Sequence, residues 1–355
     1  MSATRPLHLA VALDGPAQYD AAYYVGLARL AERGALDFVT LGDSFARPGL
    51  DALAVLSRVA PVTERIGLVP TVTTTHTEPF HVSTAVATLD WVSRGRAGWQ
   101  VDVSTTEAEA RLFGRRPAAP ADAVWREAAD VADVAARLWD SWEDDAEIRD
   151  ISTGRFIDRA KLHHVDFEGG TFSVCGPSIV PRPPQGHPVT VVDGTGEPGR
   201  EAAARHADVV LVRAGAPDQA AALRDDIRRR AEAHGRDPDT LRVLVSLVVD
   251  LGESESAPEP GLDSGPQLAG GGPHYSGGPV DLAELITRWH GQAAADGFHL
   301  APIAPHRDLE RIVNGTVALL QHRSLFRTFY PGGSLREHLG LVRPANQYAH
   351  AGGTT

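Results

Sequence analysis

Cysteine is almost missing from this sequence: Cys175 stands alone among 355 residues. A single cysteine excludes an intrachain disulfide and leaves no cysteine spacing of a metal-binding type. No stretch approaches the ~18–20 apolar residues that would span a bilayer. The opening Met1-Ser2-Ala3-Thr4-Arg5-Pro6 runs straight into a short strand-like segment, without the apolar core of a secretory signal. Basic residues are in deficit as well, 34 Lys and Arg against 46 Asp and Glu, for a net charge of −12. That balance argues against nucleic acid or an anionic membrane as partner, since both require a basic face. A local basic pocket for a phosphate stays open. The sequence also has no G-x-S-x-G, no Walker loop and no H-E-x-x-H, which removes the common hydrolase and nucleotide-triphosphatase readings. These absences describe a soluble, cytoplasmic chain.

What is present is a regular alternation of short apolar runs and amphipathic helix patterns, in a globular composition of 43% hydrophobic and 23% charged residues. The runs at 7–13, 37–41, 66–70 and 97–101 read as four strands, each followed by a helix. The third helix opens at Pro79, where a missing N–H costs nothing. The pattern breaks at 144–187, where Phe167-Glu168-Gly169-Gly170-Thr171-Phe172 reads as a hairpin turn and five prolines between Pro177 and Pro188 demand an extended chain. This is an insertion, too poor in apolar residues to be a domain. Strands resume at 189–192, 209–212, 241–249 and 298–300. The Gly-, Pro-, Ser- and Glu-rich stretch 252–279 reads as a mobile loop, and 346–355 as a flexible tail. Eight strand–helix pairs predict an α/β fold, a single (β/α)8 barrel over 1–345 with its insertion after the fourth unit. The active site of such a barrel lies at the C-terminal ends of its strands.

Gly194-Thr195-Gly196-Glu197-Pro198-Gly199 is a literal G-x-G-x-x-G after a strand. A dinucleotide fold would want an acid at the end of the next strand; Arg213 stands there and would suit a 2′-phosphate. Backbone cradling of a phosphate at the helix start, without that fold, is a second reading, and a plain glycine turn a third. His76-Thr77-Glu78-Pro79-Phe80-His81 lacks the i, i+4 helical spacing of a zinc site, so no metal is assigned. His76, beyond the third strand, is the candidate for proton or substrate contact, against the alternative of a solvated loop histidine. His163 and His164 read as part of a lid or hairpin edge.

The segment Ala87-Thr88-Leu89-Asp90-Trp91-Val92-Ser93-Arg94-Gly95-Arg96-Ala97-Gly98-Trp99 resembles bacterial luciferase-like flavin monooxygenases, in the branch of the nitrilotriacetate and dibenzothiophene-sulfone enzymes. Leu138-Trp139-Asp140-Ser141-Trp142, Phe172–Pro177, Pro181–Gly186, Leu325–Thr328 and Leu335–Gly340 agree, in the expected order along nearly the whole chain. The resemblance implies a (β/α)8 barrel, dimeric or tetrameric, that binds reduced FMN from a separate flavin reductase and uses O2 to oxygenate a small organic substrate beneath the insertion. Carried over residue by residue, it implies that Asp43, Ser44, Thr71 and Gln100 approach the flavin ring; Gln100 stands where Asn is usual but keeps the amide. At the phosphate the family's His-x-x-Arg-Tyr is replaced by Ala121-Asp122-Ala123-Val124-Trp125, so Trp125 takes the Tyr position and the His and Arg are gone. The Gly-x-Ser turn becomes Gly194-Thr195-Gly196, with Thr195 its one hydroxyl. The family's long loop after the first strand is also missing. Each charge-assisted hydrogen bond to a phosphate contributes about 1.5–3 kcal/mol, so the lost donors need replacement by backbone amides or a nearby Arg200. Two other functions fit a barrel altered in this way: hydride transfer with a reduced deazaflavin, or a binding subunit that no longer holds flavin.

Overall fold

The computed structural model describes residues 6–15, 18–257, 260–263 and 272–349. Eight parallel strands form the framework: β1 His8–Ala12, β2 Phe38–Leu41, β3 Gly67–Thr73, β4 Gly98–Asp102, β5 Val189–Asp193, β6 Val209–Val212, β7 Arg242–Leu251 and β8 Gly297–Pro302. Each is hydrogen-bonded to the next, and β8 pairs with β1, so the barrel closes without an edge. The helices outside it are α1 Ala21–Arg33, α2 Ala52–Val59, α3 Pro79–Ser93, α4 Glu107–Phe113, α5 Ala121–Asp140, α6 Glu197–His206, α7 Pro217–Ala233, α8 Pro279–Gly291 and α9 Pro305–Arg311. The last continues through a wider π-type stretch, Ile312–Val317, into Ala318–His322. Helix starts follow local chemistry: Asp20 and Asp51 accept from Ala22 and Ala54 N–H at the heads of α1 and α2, and α3 begins on Pro79. Among the described residues no helix is long and apolar enough to cross a membrane.

Side chains alternate across a strand, so inward positions recur every second residue. In the lower half of the barrel Phe38, Val69, Val191, Val209 and Leu244 fill the interior. Below them the short helix Leu335–His338 closes the barrel: Leu335, Leu339 and Leu341 join the same apolar cluster. Gly67 permits that closure, because a Cβ there would lie 2.6 Å from Leu335 Cδ1 and 2.7 Å from Phe38 Cβ.

Helices of such a barrel run back against the strands, so α5 ends at the N-terminal end and the 144–187 insertion lies there too. Its bonds show this. Gln185 Nε2 donates to the Ala97 carbonyl just before β4, Arg182 donates to the Pro344 carbonyl, and Trp91 Nε1 donates to the Pro181 carbonyl. The expected lid over the substrate is therefore not where the insertion sits. It holds two small antiparallel pairs, Glu147–Asp150 with Arg155–Ile157 and Phe167–Glu168 with Ser173–Val174, the second at the expected turn.

Two further segments differ from expectation. The 252–279 stretch contributes strands at Gly261–Asp263 and His274–Gly277, the latter pairing with the upper half of β7; its residues 258–259 and 264–271 lie outside the described residues. The C-terminal stretch expected to be free from 346 begins with a buried Asn346, whose amide donates to the carbonyls of Asp140 and Trp142. Residues 350–355 lie outside the described residues.

Candidate active site at the barrel mouth

Two residues beyond an apolar inward position, six of the eight strands turn polar: Phe38 gives way to Thr40, Val69 to Thr71, Val191 to Asp193, Leu211 to Arg213, Leu244 to Ser246 and Gly297 to His299, while β1 keeps Ala12 in the lining. These side chains, with Gln100 and Asp102 of β4, line a cavity of about 410 Å³ at the C-terminal ends of the strands. That volume is typical of small-molecule sites. Asp14, Asp43, Ser44 and Arg47 from the β1–α1 and β2–α2 connections complete one side, and Gly272 from the β7–α8 connection the other.

The floor is a neutral relay. His299 Nε2 lies 2.8 Å from Thr40 Oγ1 and its Nδ1 lies 3.0 Å from Ser246 Oγ. Burial, and then the nearby Arg213 charge, push its pKa down to about 4. The imidazole is therefore neutral near pH 7, with one nitrogen donating and the other accepting.

The walls are acidic and unevenly compensated. Asp193 pairs with Arg213 at 2.7 Å and accepts from Thr195 N at 2.9 Å, while Thr195 Oγ1 accepts from Arg213 N at 3.1 Å. Asp102 receives one backbone bond, from Val103 N at 2.8 Å. Burial, with repulsion from Asp193 and Glu109, pushes it up to about 6. Asp14 is likewise raised by burial, although Gly42 N donates to it at 3.0 Å.

Four of the residues expected near a flavin ring, Asp43, Ser44, Thr71 and Gln100, meet in this cavity. The Asp43 carboxylate also holds the head of α2, accepting from Ala52 N at 3.0 Å. The phosphate-side residues lie next to the cavity rather than in its lining. Gly194, Thr195 and Gly196 form the turn into α6, whose first residues have no side-chain cap. Trp125 on α5 closes that turn from outside, and the third glycine of the motif is sterically required. A Cβ at Gly199 would lie 2.3 Å from the Asp193 carbonyl and 3.5 Å from Trp125 Cζ2. Arg200, expected as a substitute donor, is already engaged with Glu197 at 2.8 Å and faces Asp226 at 3.5 Å.

His76 is outside the lining. It is buried at φ +69°, its ring stacked on Phe113 of α4 at 5.0 Å, and Phe113 meets Phe45 edge-on at 4.7 Å beside Ser44. Burial lowers its pKa, and its Nδ1 has no hydrogen-bond partner among the described residues.

Residue reading alone missed Thr40, Asp193, Ser246, His299 and Arg47. The signal for the first four was available: a polar residue in phase with the inward apolar positions, at the C-terminal end of a barrel strand. Arg47 had none, because it belongs to a loop.

The site can be tested against a flavin. The cavity offers hydroxyl and amide groups for a ring edge, and the α6 start offers N–H groups that no side chain caps. The chain's residues fit FMN at both ends, with fewer side-chain donors for the phosphate than the family pattern would supply.

A (β/α)8 barrel with a polar cavity at the C-terminal ends of its strands is the architecture of a barrel enzyme. The chain matches the luciferase-like monooxygenase family over residues 7–314 and belongs to that family. It is 34% identical to nitrilotriacetate monooxygenase component A from Aminobacter aminovorans, across 93% of this chain and 92% of that one. It is 30% identical to dibenzothiophene-sulfone monooxygenase from Rhodococcus erythropolis, across 92% and 91%. The crystal structure of the long-chain alkane monooxygenase LadA superposes with a TM-score of 0.85 at 25% identity, covering 95% of this chain and 96% of that one. An F420-dependent secondary alcohol dehydrogenase shares the fold more distantly, with a TM-score of 0.66 at 14% identity over 87% of this chain and 98% of that one. The alignment with the Aminobacter protein runs to 416 positions against 355 residues here, so that relative carries segments this chain lacks. The β1–α1 connection, with only residues 13–20 between strand and helix, is one short link of the mouth.

Proposed function

We propose that the mouth cavity receives the ring of reduced FMN delivered by a separate flavin reductase, and that a small organic substrate is oxygenated beside it with O2. The observation that carries this reading is the meeting of Ser44, Thr71 and Gln100 in one cavity of a luciferase-like barrel. Bound reduced FMN would supply the electrons that activate O2. The protein's part is binding, orientation and control of protons. The Gln100 amide and the Thr71 and Ser44 hydroxyls orient the ring edge. The Thr40–His299–Ser246 relay holds a neutral, hydrogen-bonding floor beneath it. Gly194, Thr195 and Gly196 shape the turn for the phosphate, but Gly194 N donates to the Leu211 carbonyl and Thr195 N to Asp193, so the phosphate would rest on the N–H groups of Gly196 and the first turn of α6, with Trp125 screening the turn from outside. His76, the proton-donor candidate of the sequence, lies behind Phe113 and outside the lining, and burial keeps it neutral, so it would reach the reacting atoms only with Phe113 displaced, and then as a proton acceptor. Asp43 serves by holding the β2–α2 connection in place. The same reading expects a homodimer or homotetramer working in the cytoplasm.

Anaerobic titration with reduced FMN, beside oxidised FMN and a reduced deazaflavin, tests it. Micromolar affinity for reduced FMN, weaker for the oxidised form, is the expected result. Preference for the deazaflavin would replace oxygenation by hydride transfer. Failure of a folded protein to bind any of them would overturn the proposal.

A further inference from the structure

At the other end of the barrel, the insertion brings together three side chains that the mouth does not use. Val165 N and Asp166 N both donate to the Cys175 carbonyl, at 2.8 and 3.1 Å, just past the Phe167–Glu168 and Ser173–Val174 pairing. Alternation then sorts the side chains. Val165 and Val174 turn into an apolar cluster with Val134 and Leu138, while His164, Asp166 and Cys175 turn to solvent. Cys175 Sγ lies 3.5 Å from His164 Nδ1 and 3.2 Å from Asp166 Oδ1, and the three donor atoms lie within 4.8 Å of one another.

Those distances have a specific meaning. A tetrahedral zinc ion sits about 2.3 Å from sulfur and about 2.1 Å from nitrogen or oxygen, which places its ligand atoms about 3.4–3.6 Å apart. The two sulfur separations are close to that spacing with no ion needed to draw the groups together, and the imidazole and carboxylate lie within 4.8 Å of each other. The frame around it is braced: His163 stacks on Tyr348 at 4.3 Å and bonds Glu143 at 2.8 Å, and Tyr348 Oη donates to the His164 carbonyl at 3.5 Å. A nucleophilic cysteine is the wrong reading of the same atoms. There the carboxylate would orient the imidazole; here it faces the sulfur, where a negative charge opposes a thiolate.

We propose that His164 Nδ1, an Asp166 carboxylate oxygen and Cys175 Sγ form a site for a divalent transition-metal ion, zinc by donor chemistry, with a fourth position open to solvent. A mixed thiolate, imidazole and carboxylate set selects such an ion over calcium or magnesium. On binding, the thiol proton leaves to solvent as the metal–sulfur bond forms. The site lies away from the mouth, so it is independent of the flavin reading.

The test uses the full chain after chelator treatment, titrated with Co2+ as a spectroscopic stand-in and then with Zn2+. Expected are one Co2+ per chain with a near-ultraviolet thiolate-to-cobalt charge-transfer band, its displacement by Zn2+, and its loss in Cys175→Ser. His164→Ala and Asp166→Ala should each weaken binding at least tenfold. Cys175 is exposed, so the variant should fold and bind reduced flavin as the wild type does. Absence of the band, or binding that survives unchanged in Cys175→Ser, overturns the site and leaves a thiol that is only hydrogen-bonded.

Discussion

Asp37, fully buried beneath the barrel, and Asp102, half-buried at its mouth, are held in opposite ways. Asp37 is fully buried, which alone would raise its pKa, but Arg327 at 2.7 Å and His8 at 3.1 Å hold it down to about 2, and Leu9 N donates to it at 2.7 Å. Asp102 contacts no cation among the described residues and rises to about 6. Asp90 shows that the end of the barrel is not itself the cause. It too lies beneath the barrel, but its partners are the neutral N–H groups of Ala97 and Gln185, and burial pushes it up to about 6. Contact with a cation decides the direction. Asp37 is a structural anchor that stays charged, whereas Asp102 is a mouth residue able to change charge within the working range of an enzyme.

The two ends differ in a second way. The strings that carry the family resemblance meet beneath the barrel. Asp90 accepts from Ala97 N and from both Gln185 N–H groups, and Gln185 Oε1 accepts from Arg336 N at 2.9 Å. Residues 87–99, 181–186 and 335–340 thus form one buried network that sets strand spacing and closes the barrel. The residues at which the resemblance implies a departure, Gln100, Trp125 and the 194–196 turn, lie at or beside the mouth. The buried network and the candidate site occupy opposite ends, as this barrel architecture allows.

Breaking the lower end should have the largest effect. Arg96 is buried, and its guanidinium donates to the carbonyls of Ser93, Ile66, Ala60 and Thr63 and to Thr63 Oγ1. Arg96→Ala leaves those acceptors without partners, at about 1–3 kcal/mol for each that water cannot reach. A loss of at least about 3 kcal/mol in urea unfolding is expected, and a loss under about 1 kcal/mol would show that the network is incidental.

Acid should find Asp37 next. Its folded pKa lies below its ordinary value of 3.8, so its contribution is complete above that value and is lost as pH falls through about 2. The shift corresponds to about 2 kcal/mol. Unfolding free energy measured from pH 5 down to 2 should decline accordingly, and a profile with no such decline would contradict the Arg327 anchor.

Much of the lower end is legible in the sequence, because its physics is local: period-2 apolar runs, helix starts at Asp20, Asp51 and Pro79, and strings kept intact by packing. Part of the mouth is legible too, since Thr71 and Gln100 end recognisable strands. His299 and Ser246 carry only a phase signal, one polar residue each in step with the inward apolar positions, and that signal becomes a site when the barrel closes and places them 3.0 Å apart. The insertion lies opposite to the sequence expectation for a topological reason. A segment after a helix returns at the N-terminal end, so 144–187 faces away from the cavity whatever its composition.

Gln100→Ala sharpens the contrast from above. Gln100 lines the cavity on a strand whose own ladder is untouched by the change. Affinity for reduced FMN should fall about tenfold, equivalent to about 1.4 kcal/mol, while stability changes by less than about 1 kcal/mol. Unchanged affinity would remove Gln100 from the flavin site.

Asp102→Asn should have the smallest effect, because solvent in the mouth cavity screens this half-buried carboxylate, and its sign is the informative part. The folded carboxyl has its pKa raised from 3.8 to about 6, so the folded state holds the proton more tightly than the unfolded state between those values. Stability therefore falls as pH rises from about 4 to 6, and above that range the buried charge is a standing cost. Replacing it with a neutral amide should raise the melting temperature at pH 7 by a few degrees and leave it nearly unchanged at pH 4. If the charge serves the reaction, the same variant should lose the limb of the activity–pH profile centred near 6. A gain in stability together with loss of that limb marks Asp102 as a functional charge kept at the expense of stability. A variant less stable at pH 7, with the limb intact, would show that Asp102 is an anchor like Asp37 and that the two ends of the barrel are built alike.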